Sequence, residues 1–144
     1  MVELMIVVAI TGILAAIAIP NMIQMQLRAK RAELPMNVNG IKMAELGRDA
    51  AFDEFMQLGR NPRPDAQLDK LPAAWLTTMP EWELIGYKPD GPVRGNYLVE
   101  LSTDVDIGFV ITARSDLDDD DAMCEYTATK SQGVEITAIR AALF

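Results

Sequence analysis

Five aspartates fall within six residues of this chain, in the run Asp116-Leu117-Asp118-Asp119-Asp120-Asp121. Clustered carboxylate oxygens are the ligands that Ca²⁺ prefers in proteins. The spacing is not that of an EF-hand, because no Gly follows Asp120 and Thr127 stands where that loop has its bidentate Glu. Two interpretations stay open: a solvated surface turn, or a calcium site formed by Asp116, Asp118, Asp120 and Asp121.

Composition excludes several other chemistries. The chain has no His, which removes the usual general base and the commonest transition-metal ligand. No Ser-Lys, Cys-His or paired-carboxylate arrangement suggests catalysis, so we expect no enzymatic activity. The single cysteine, Cys124, cannot close an intrachain disulfide and is expected to be a small buried residue in a strand. The net charge of −8 argues against nucleic acid as a partner.

Glu3 is the only charged side chain among residues 1–20. The uncharged stretch 4–19 would rise roughly 24 Å as a helix, which approaches the thickness of a bilayer core once its flanks are added. A carboxylate at the mouth of an apolar helix is costly to place in a bilayer, so we expect Glu3 to have a function. The alternative is an interfacial carboxylate at a helix N-terminus, where the helix dipole favours negative charge.

The run MVELMIVVAITGILAAIAIP at the N-terminus closely resembles the N-terminal segment of type IV pilins and their pseudopilin relatives. Glu3 before the apolar run, Gly12 within it and Pro20 at its end carry this resemblance. It implies that Glu3 neutralises the N-terminal amine of a neighbouring subunit during assembly, since opposite charges in an apolar core are tolerable only when paired. It also implies that the helix between Gly12 and Pro20 can unwind in a filament. Ordinary tolerance of membrane helices for Gly and Pro is the alternative.

The same resemblance implies a short basic leader, cut off on the cytoplasmic side by a prepilin peptidase. Here the first positive charges are Arg28, Lys30 and Arg31, after the apolar run. We expect a leader to have preceded this sequence. In the family, four residues usually precede the Glu in the mature chain, whereas two precede Glu3 here; we expect two residues to be missing before Glu3, and the alternative is that this subunit is processed differently. The three basic residues are expected to contact lipid headgroups before assembly and acidic surfaces of neighbouring subunits afterwards.

Apolar residues beyond Pro20 recur at spacings of three, four or seven, which indicates an amphipathic helix. The stripe consists of Ile23, Leu27, Leu34, Val38, Ile41, Ala44, Ala51, Phe55 and Leu58. One spine helix is therefore predicted over residues 1–58, kinked at Pro20 and Pro35 and ended by Gly59. Gly40 and Pro35 are unusual in the middle of such a helix.

The rest of the chain predicts an α+β fold, in which the spine helix packs on an antiparallel sheet of three or four strands. Alternating residues predict strands over 82–88, 93–102, 106–114 and 122–130, while 134–144 is ambiguous between strand and helix. We therefore divide the chain into an apolar helical half, 1–26, and a head, 27–144. The head comprises an amphipathic helix 27–58, a connecting loop 59–81 and the sheet 82–144.

The resemblance implies a structural subunit of a type IV pilus-like filament, serving adhesion, surface motility or a related role. Such a subunit is held in the bacterial inner membrane and assembled by the pilus machinery into a helical surface filament. A subunit that leaves the bilayer must bury its apolar helix again, and the helices of neighbours supply that surface. The alternatives are a pseudopilin of a type II secretion system and a monomeric membrane-anchored binding module. Calcium at the acidic run is the one candidate cofactor.

Overall fold

A computed structural model of the chain describes residues 1–63, 70–118 and 123–139. Its helices are α1 (Val2–Arg31), α2 (Glu33–Phe52) and α3 (Pro80–Leu84). Its strands are β1 (Leu58–Asn61), β2 (Asn96–Leu101), β3 (Phe109–Ser115), β4 (Cys124–Thr129) and β5 (Glu135–Ile139). The predicted α+β class, a helical spine with an antiparallel sheet, is confirmed.

The spine is interrupted at one position between α1 and α2. Ala32 separates the two helices, yet its φ of −60° and ψ of −17° remain right-handed helical. Pro35 accounts for the interruption, because it has no N–H to donate to the carbonyl of Arg31. Pro20 lies inside α1 without ending it, so the helix tolerates that missing donor.

The spine is shorter than the prediction of residues 1–58. It ends at Phe52, and Asp53 follows in the left-handed conformation with a φ of 56°. Asp is among the few residues other than Gly that adopt this conformation at a helix end. The expectation that Gly59 ends the helix is wrong, because Gly59 lies within β1.

The sheet is a meander of five strands in the order β1-β2-β3-β4-β5, and each neighbouring pair is antiparallel. The predicted number of three or four strands is therefore wrong. The additional strand, β1, comes from a stretch that the sequence pattern assigned to the helix end and the loop. The ambiguous C-terminal stretch supplies β5. Strands β2 and β4 fall inside the predicted strands 93–102 and 122–130, and β3 overlaps 106–114 but extends one residue further, to Ser115.

The predicted strand 82–88 is wrong, because its first residues belong to α3. Pro80 occupies the start of this helix, where its missing N–H costs nothing and its fixed φ suits the first turn. Trp82 and Ile85 are both buried. A spacing of three residues puts them on one face of a helical turn. Burial of both side chains therefore favours a helix here, rather than the strand that the alternating pattern indicated.

The core lies between α2 and one face of the sheet. Leu34, Val38 and Ile41 of α2 are fully buried and follow the helical spacing that the sequence predicts. The sheet contributes the side chains of Leu58, Tyr97, Val99, Phe109, Ile111, Ala113, Tyr126 and Ala128. Within the described residues, this core belongs entirely to the head.

Gly40 has a packing role in the spine. A Cβ at this position would lie 2.7 Å from Cε2 of Tyr87. Glycine thus permits the Tyr87 ring to lie directly against α2, although glycine weakens a helix interior. One turn before Gly40, the side chain of Asn37 bonds α2 to the sheet: its Nδ2 donates to the hydroxyl of Tyr97 at 2.7 Å.

Candidate assembly surface

The first 26 residues form an apolar surface that the rest of the chain does not cover. Leu27 is the one buried residue of α1. The large apolar side chains before it are between 51% exposed, at Ile23, and 99% exposed, at Met1. Among the described residues, one helical segment, the spine from Val2 to Phe52 that comprises α1 and α2, is long and apolar enough by length and composition to cross a membrane. The division into an apolar half, 1–26, and a head, 27–144, stays a prediction.

Glu3 lies in the first turn of α1 and is exposed. Among the residues that the structure describes, none forms a salt bridge with Glu3. The positive end of the helix dipole favours a carboxylate there.

Gly12 is exposed on α1, and a Cβ there would meet no atom within 4 Å. Packing within the chain therefore does not require glycine at this position. Thr11 is accommodated by the helix itself, because its hydroxyl reaches the carbonyls of Val7 at 2.9 Å and Val8 at 3.0 Å. α1 is helical throughout in the single chain, and unwinding between Gly12 and Pro20 stays a prediction for the packed state.

The basic residues Arg28, Lys30 and Arg31 occupy the last turn of α1. Cationic side chains are favourable there, because the carboxyl end of a helix carries partial negative charge. They immediately follow the apolar surface and lie where the head begins. Contact of these side chains with lipid headgroups stays a prediction.

The acidic run lies at the end of β3 and only part of it can be placed. Asp116 is 4% exposed and Asp118 is half-buried, and both make interactions with other groups. Asp120 and Asp121 lie outside the described residues. In the described ranges 1–63, 70–118 and 123–139, no group of three or more His, Cys, Asp or Glu side chains is arranged to hold a metal ion. Calcium binding by the run stays a prediction.

Cys124 begins β4, as expected for a strand residue, but it is half-buried rather than buried. Its side chain packs at the margin of the core. Burial raises the pKa of the thiol, and the charge of Arg31 opposes this shift. The side chain therefore remains a neutral thiol at physiological pH, in keeping with a packing role.

Glu45 is a buried carboxylate that the sequence analysis did not single out. It is fully buried on the core-facing side of α2, four residues after Ile41. Its Oε2 accepts the backbone N–H of Met56 at 3.1 Å, while its Oε1 has no hydrogen-bond partner among the described residues. Burial raises the pKa of Glu45, with the Met56 N–H and the charge of Arg48 acting in the opposite direction. The helical spacing from Ile41 was the signal that could have identified this position.

A cavity of about 260 Å³ opens beside α3 and was not predicted either. Its apolar wall consists of Trp75, Leu76, Met79, Trp82 and Tyr87. The rings of Trp75 and Trp82 meet edge to face, with their centroids 4.9 Å apart. Burial, with the nearby charge of Glu33, raises the pKa of Tyr87 to about 12, so the phenol stays neutral and the wall uncharged.

The chain is similar to a curated protein, the type IV major pilin protein PilA of Myxococcus xanthus (strain DK1622), with 56% identity over 45 residues. This stretch covers 31% of the chain and 20% of the relative, so the similarity concerns a segment and not the whole protein. No protein-family model and no solved structure matches the chain. A segment of high identity to a pilin, together with an apolar N-terminal helix joined to an α+β head, confirms the resemblance of this chain to the type IV pilin family.

Proposed function

We propose that the chain is the structural subunit of a type IV pilus-like filament. The exposed apolar surface of residues 1–26, joined to a folded head, carries the proposal. Exposing such a helix to water is unfavourable at roughly 25 cal/mol per Å² of apolar surface. Lipid covers it before assembly, and the helices of neighbouring subunits cover it in the filament.

Glu3 has a specific role in this proposal. In the filament core its carboxylate pairs with the N-terminal amine of a neighbouring subunit. An apolar core tolerates the two charges only as a pair, so the pairing sets the register of each new subunit. The lack of a salt bridge to Glu3 within the described residues leaves the carboxylate available for this partner.

The similarity to PilA supports a pilin subunit. That relative is named as a major pilin, which is a structural subunit and not an enzyme. By extension, the chain is processed by a prepilin peptidase, stored in the inner membrane and assembled by the pilus machinery for adhesion or surface motility. A monomeric anchored module remains as an outcome of the experiment, and a pseudopilin remains an alternative within the same family.

The experiment is electron cryo-microscopy of filaments sheared from the source cells, with mass spectrometry of their subunits. The proposal expects this chain to form the filament, with Glu3 beside a neighbour's amino terminus. Trace amounts in filaments built of another chain would indicate a minor subunit. A chain found only as a monomer in the inner membrane would refute polymerisation and favour the anchored module.

A Glu3→Gln variant tests the pairing directly, because it removes the charge and preserves the shape. Leaving a buried amine unpaired costs roughly 3–5 kcal/mol, so filament yield should fall more than about a hundredfold while the membrane pool persists. Glu100→Gln, at an exposed position of β2, is the matched control and should assemble normally. Normal filaments from Glu3→Gln would contradict the pairing.

A further inference from the structure

Two buried polar groups of complementary type lie three residues apart on α2, and neither has a hydrogen-bond partner among the described residues. They are Oε1 of Glu45, which is an acceptor when the carboxyl is ionised, and Nε of Arg48, which is a donor. Side chains three residues apart on a helix are neighbours on its surface, and the charge of Arg48 acts on Glu45. Leaving a buried donor or acceptor unpaired is unfavourable, so pairing these two groups would remove both penalties.

Arg48 instead contacts residues at the end of the spine. Its Nη2 forms an ion pair with Oε1 of Glu54, and its guanidinium carbon lies 5.2 Å from the centre of the Phe52 ring. The side chain of Glu54 is 58% exposed, and an ion pair to so exposed a carboxylate contributes little to stability. An unpaired charge on the fully buried Glu45 is far more costly. Once Glu45 is ionised, it is therefore the stronger partner for Arg48.

The other charged groups around the end of the spine do not supply a countercharge for Glu45. Asp53 and Glu54, which follow α2, are exposed acids. Lys130, which follows β4, is paired with Asp49, with Nζ 3.4 Å from Oδ2. In the part of the chain that the structure describes, Arg48 is the one charged group that acts on Glu45.

The strands that pack on α2 add no charge beside Glu45. β3 and β4 present mainly apolar side chains to the helix, and the titratable groups of this core are Tyr126 and Cys124 of β4. Burial raises the pKa of both groups, so both are neutral at physiological pH. The charge that acts on them is that of Arg31, at the end of α1.

We propose that Arg48 exchanges between two carboxylates: it pairs with Glu54 while Glu45 is protonated, and it moves to Glu45 when that carboxyl ionises. The proton of Glu45 leaves to solvent, and Nε of Arg48 pairs the charge that remains. The arrangement in the structure, with Nε unpaired, is that of the protonated form. Ionisation frees Glu54 and the Phe52 ring, so the turn by which the chain leaves the spine loosens. Met56 stays in place, because its N–H is bound to the other oxygen of Glu45 at 3.1 Å.

The direction of the pH dependence follows from the burial of Glu45. Burial raises the pKa of this carboxyl above that of an ordinary Glu, about 4.3. The exchange should therefore occur as the pH rises through the raised pKa. Glu54 competes with Glu45 for Arg48, so removing the charge of Glu54 should lower the pKa of Glu45.

Nuclear magnetic resonance of the full chain in detergent micelles follows both partners of the exchange as the pH is raised from about 4. The carboxyl carbon of Glu45 reports ionisation, and the Nε–H of Arg48 reports pairing. We expect both signals to change with one midpoint. Above it the Arg48 Nε–H should exchange with water more slowly, because it has gained a carboxylate acceptor. Arg94, whose Nε is also buried without a partner among the described residues, is the internal control and should not follow this midpoint.

Amide hydrogen exchange in the same sample measures the release of the turn. The N–H of Asp53 donates to the carbonyl of Asp49 at 2.8 Å and closes the end of the spine. After correction for the intrinsic effect of pH on exchange, its protection should fall about twofold to fivefold across the midpoint, as expected for the loss of an exposed ion pair. The N–H of Met56 should keep its protection.

Two variants distinguish the exchange from a purely structural role of these residues. In Glu45→Gln, neither the Arg48 Nε–H nor the Asp53 amide should show the midpoint, because the titrating group is gone. In Glu54→Gln, the midpoint of Glu45 should move to lower pH, and the Asp53 amide should already be weakly protected at acid pH. Glu100→Gln, at an exposed strand position, should behave as wild type.

Three results would overturn the exchange. The first is a Glu45 carboxyl that ionises while the Nε–H of Arg48 keeps its exchange rate with water. The second is an equal midpoint of Glu45 in wild type and in Glu54→Gln. The third is a change of Arg48 with pH that persists in Glu45→Gln, which would assign the titration to another group. Each of these outcomes leaves the filament proposal untouched, because the exchange lies within one head.

Discussion

At the scale of residues, two carboxylates of the spine lie in opposite environments. Glu3 is exposed at the start of the apolar helix, whereas Glu45 is fully buried against the sheet. A buried carboxylate is costly when it is charged and weakly bonded. Glu45 accepts a hydrogen bond from the Met56 N–H, which fixes the chain that follows the spine. This hydrogen bond offsets part of the cost of burying the carboxylate.

Replacing Glu45 by Gln should make the head more stable at neutral pH. Burial raises the pKa of Glu45 in the folded state, so its contribution to stability is full below the pKa of an ordinary Glu, about 4.3. That contribution is lost as the pH rises through the folded pKa. The stability of Glu45→Gln relative to wild type should therefore grow as the pH rises from about 4 through the raised pKa of the folded state.

Denaturant unfolding of the full chain in detergent micelles measures this difference. Glu100→Gln, at an exposed strand position, should show no comparable change with pH. A stability difference for Glu45→Gln that stays constant across the pH range would show that the buried carboxyl does not titrate as we infer. The Gln side chain keeps an acceptor for the Met56 N–H, which limits the change to charge.

At the scale of elements, two glycines of α2 lie in different surroundings. A Cβ at Gly40 would lie 2.7 Å from the Tyr87 ring, whereas a Cβ at Gly47 would meet nothing within 4 Å. The Tyr87 ring is itself held by Trp75, with centroids 5.9 Å apart, so it cannot move away freely. The same substitution should therefore have opposite effects at the two positions.

Gly47→Ala should stabilise the head by up to about 1 kcal/mol, because alanine is the better helix former. Gly40→Ala should destabilise it by about 1–3 kcal/mol, because the added methyl displaces a packed ring. Thermal unfolding of both variants under identical conditions provides the comparison. If Gly40→Ala is as stable as Gly47→Ala, the close approach of the Tyr87 ring does not constrain the helix.

Calcium binding by the acidic run can be tested in solution. If it binds calcium, adding Ca²⁺ at about 100 times the dissociation constant should stabilise the chain by about 2.7 kcal/mol. Combined Asp118→Asn and Asp121→Asn should abolish the shift, while Asp90→Asn, an exposed carboxylate elsewhere, should preserve it. Equal melting temperatures in calcium and in chelator would indicate a solvated turn.

At the scale of the whole molecule, burial divides the chain at the end of its apolar half. Residues before Leu27 contribute no buried side chain, and the core lies between α2 and the sheet. The head should therefore fold without the apolar half. Deleting residues 1–26 should give a monomer in water whose unfolding free energy is within about 1 kcal/mol of the full chain in detergent.

Sedimentation and thermal unfolding of the shortened chain test this division. We expect the shortened chain to remain folded but not to assemble into filaments, because it lacks the apolar surface that neighbouring subunits cover. Aggregation or loss of the folded state would mean that the apolar half stabilises the head. The stabilising contacts would then be made by residues of α1 that precede Leu27.

The sequence alone determined the apolar helix, the stripe on α2 and three strands of the sheet. These features follow from local periodicity and from a long charge-free run. Both are properties of the sequence itself and do not depend on tertiary contacts. Glu3, Gly12 and Pro20 could be singled out for the same reason, since the N-terminal motif is contiguous. What these residues do in an assembled state lies beyond a single chain, and their roles stay proposals.

Only the tertiary structure decided where the spine ends, that β1 completes a five-stranded sheet, and that residues 80–84 are helical. Each outcome depends on contacts distant in sequence, such as Leu58 opposite Val99 and the Trp82 indole on Gly59. Burial of Glu45, the contact of Gly40 with Tyr87 and the aromatic cavity depend on the same long-range packing. Local propensities of about 1 kcal/mol per residue or less are easily outweighed by such packing, which is why the sequence pattern could not reveal them.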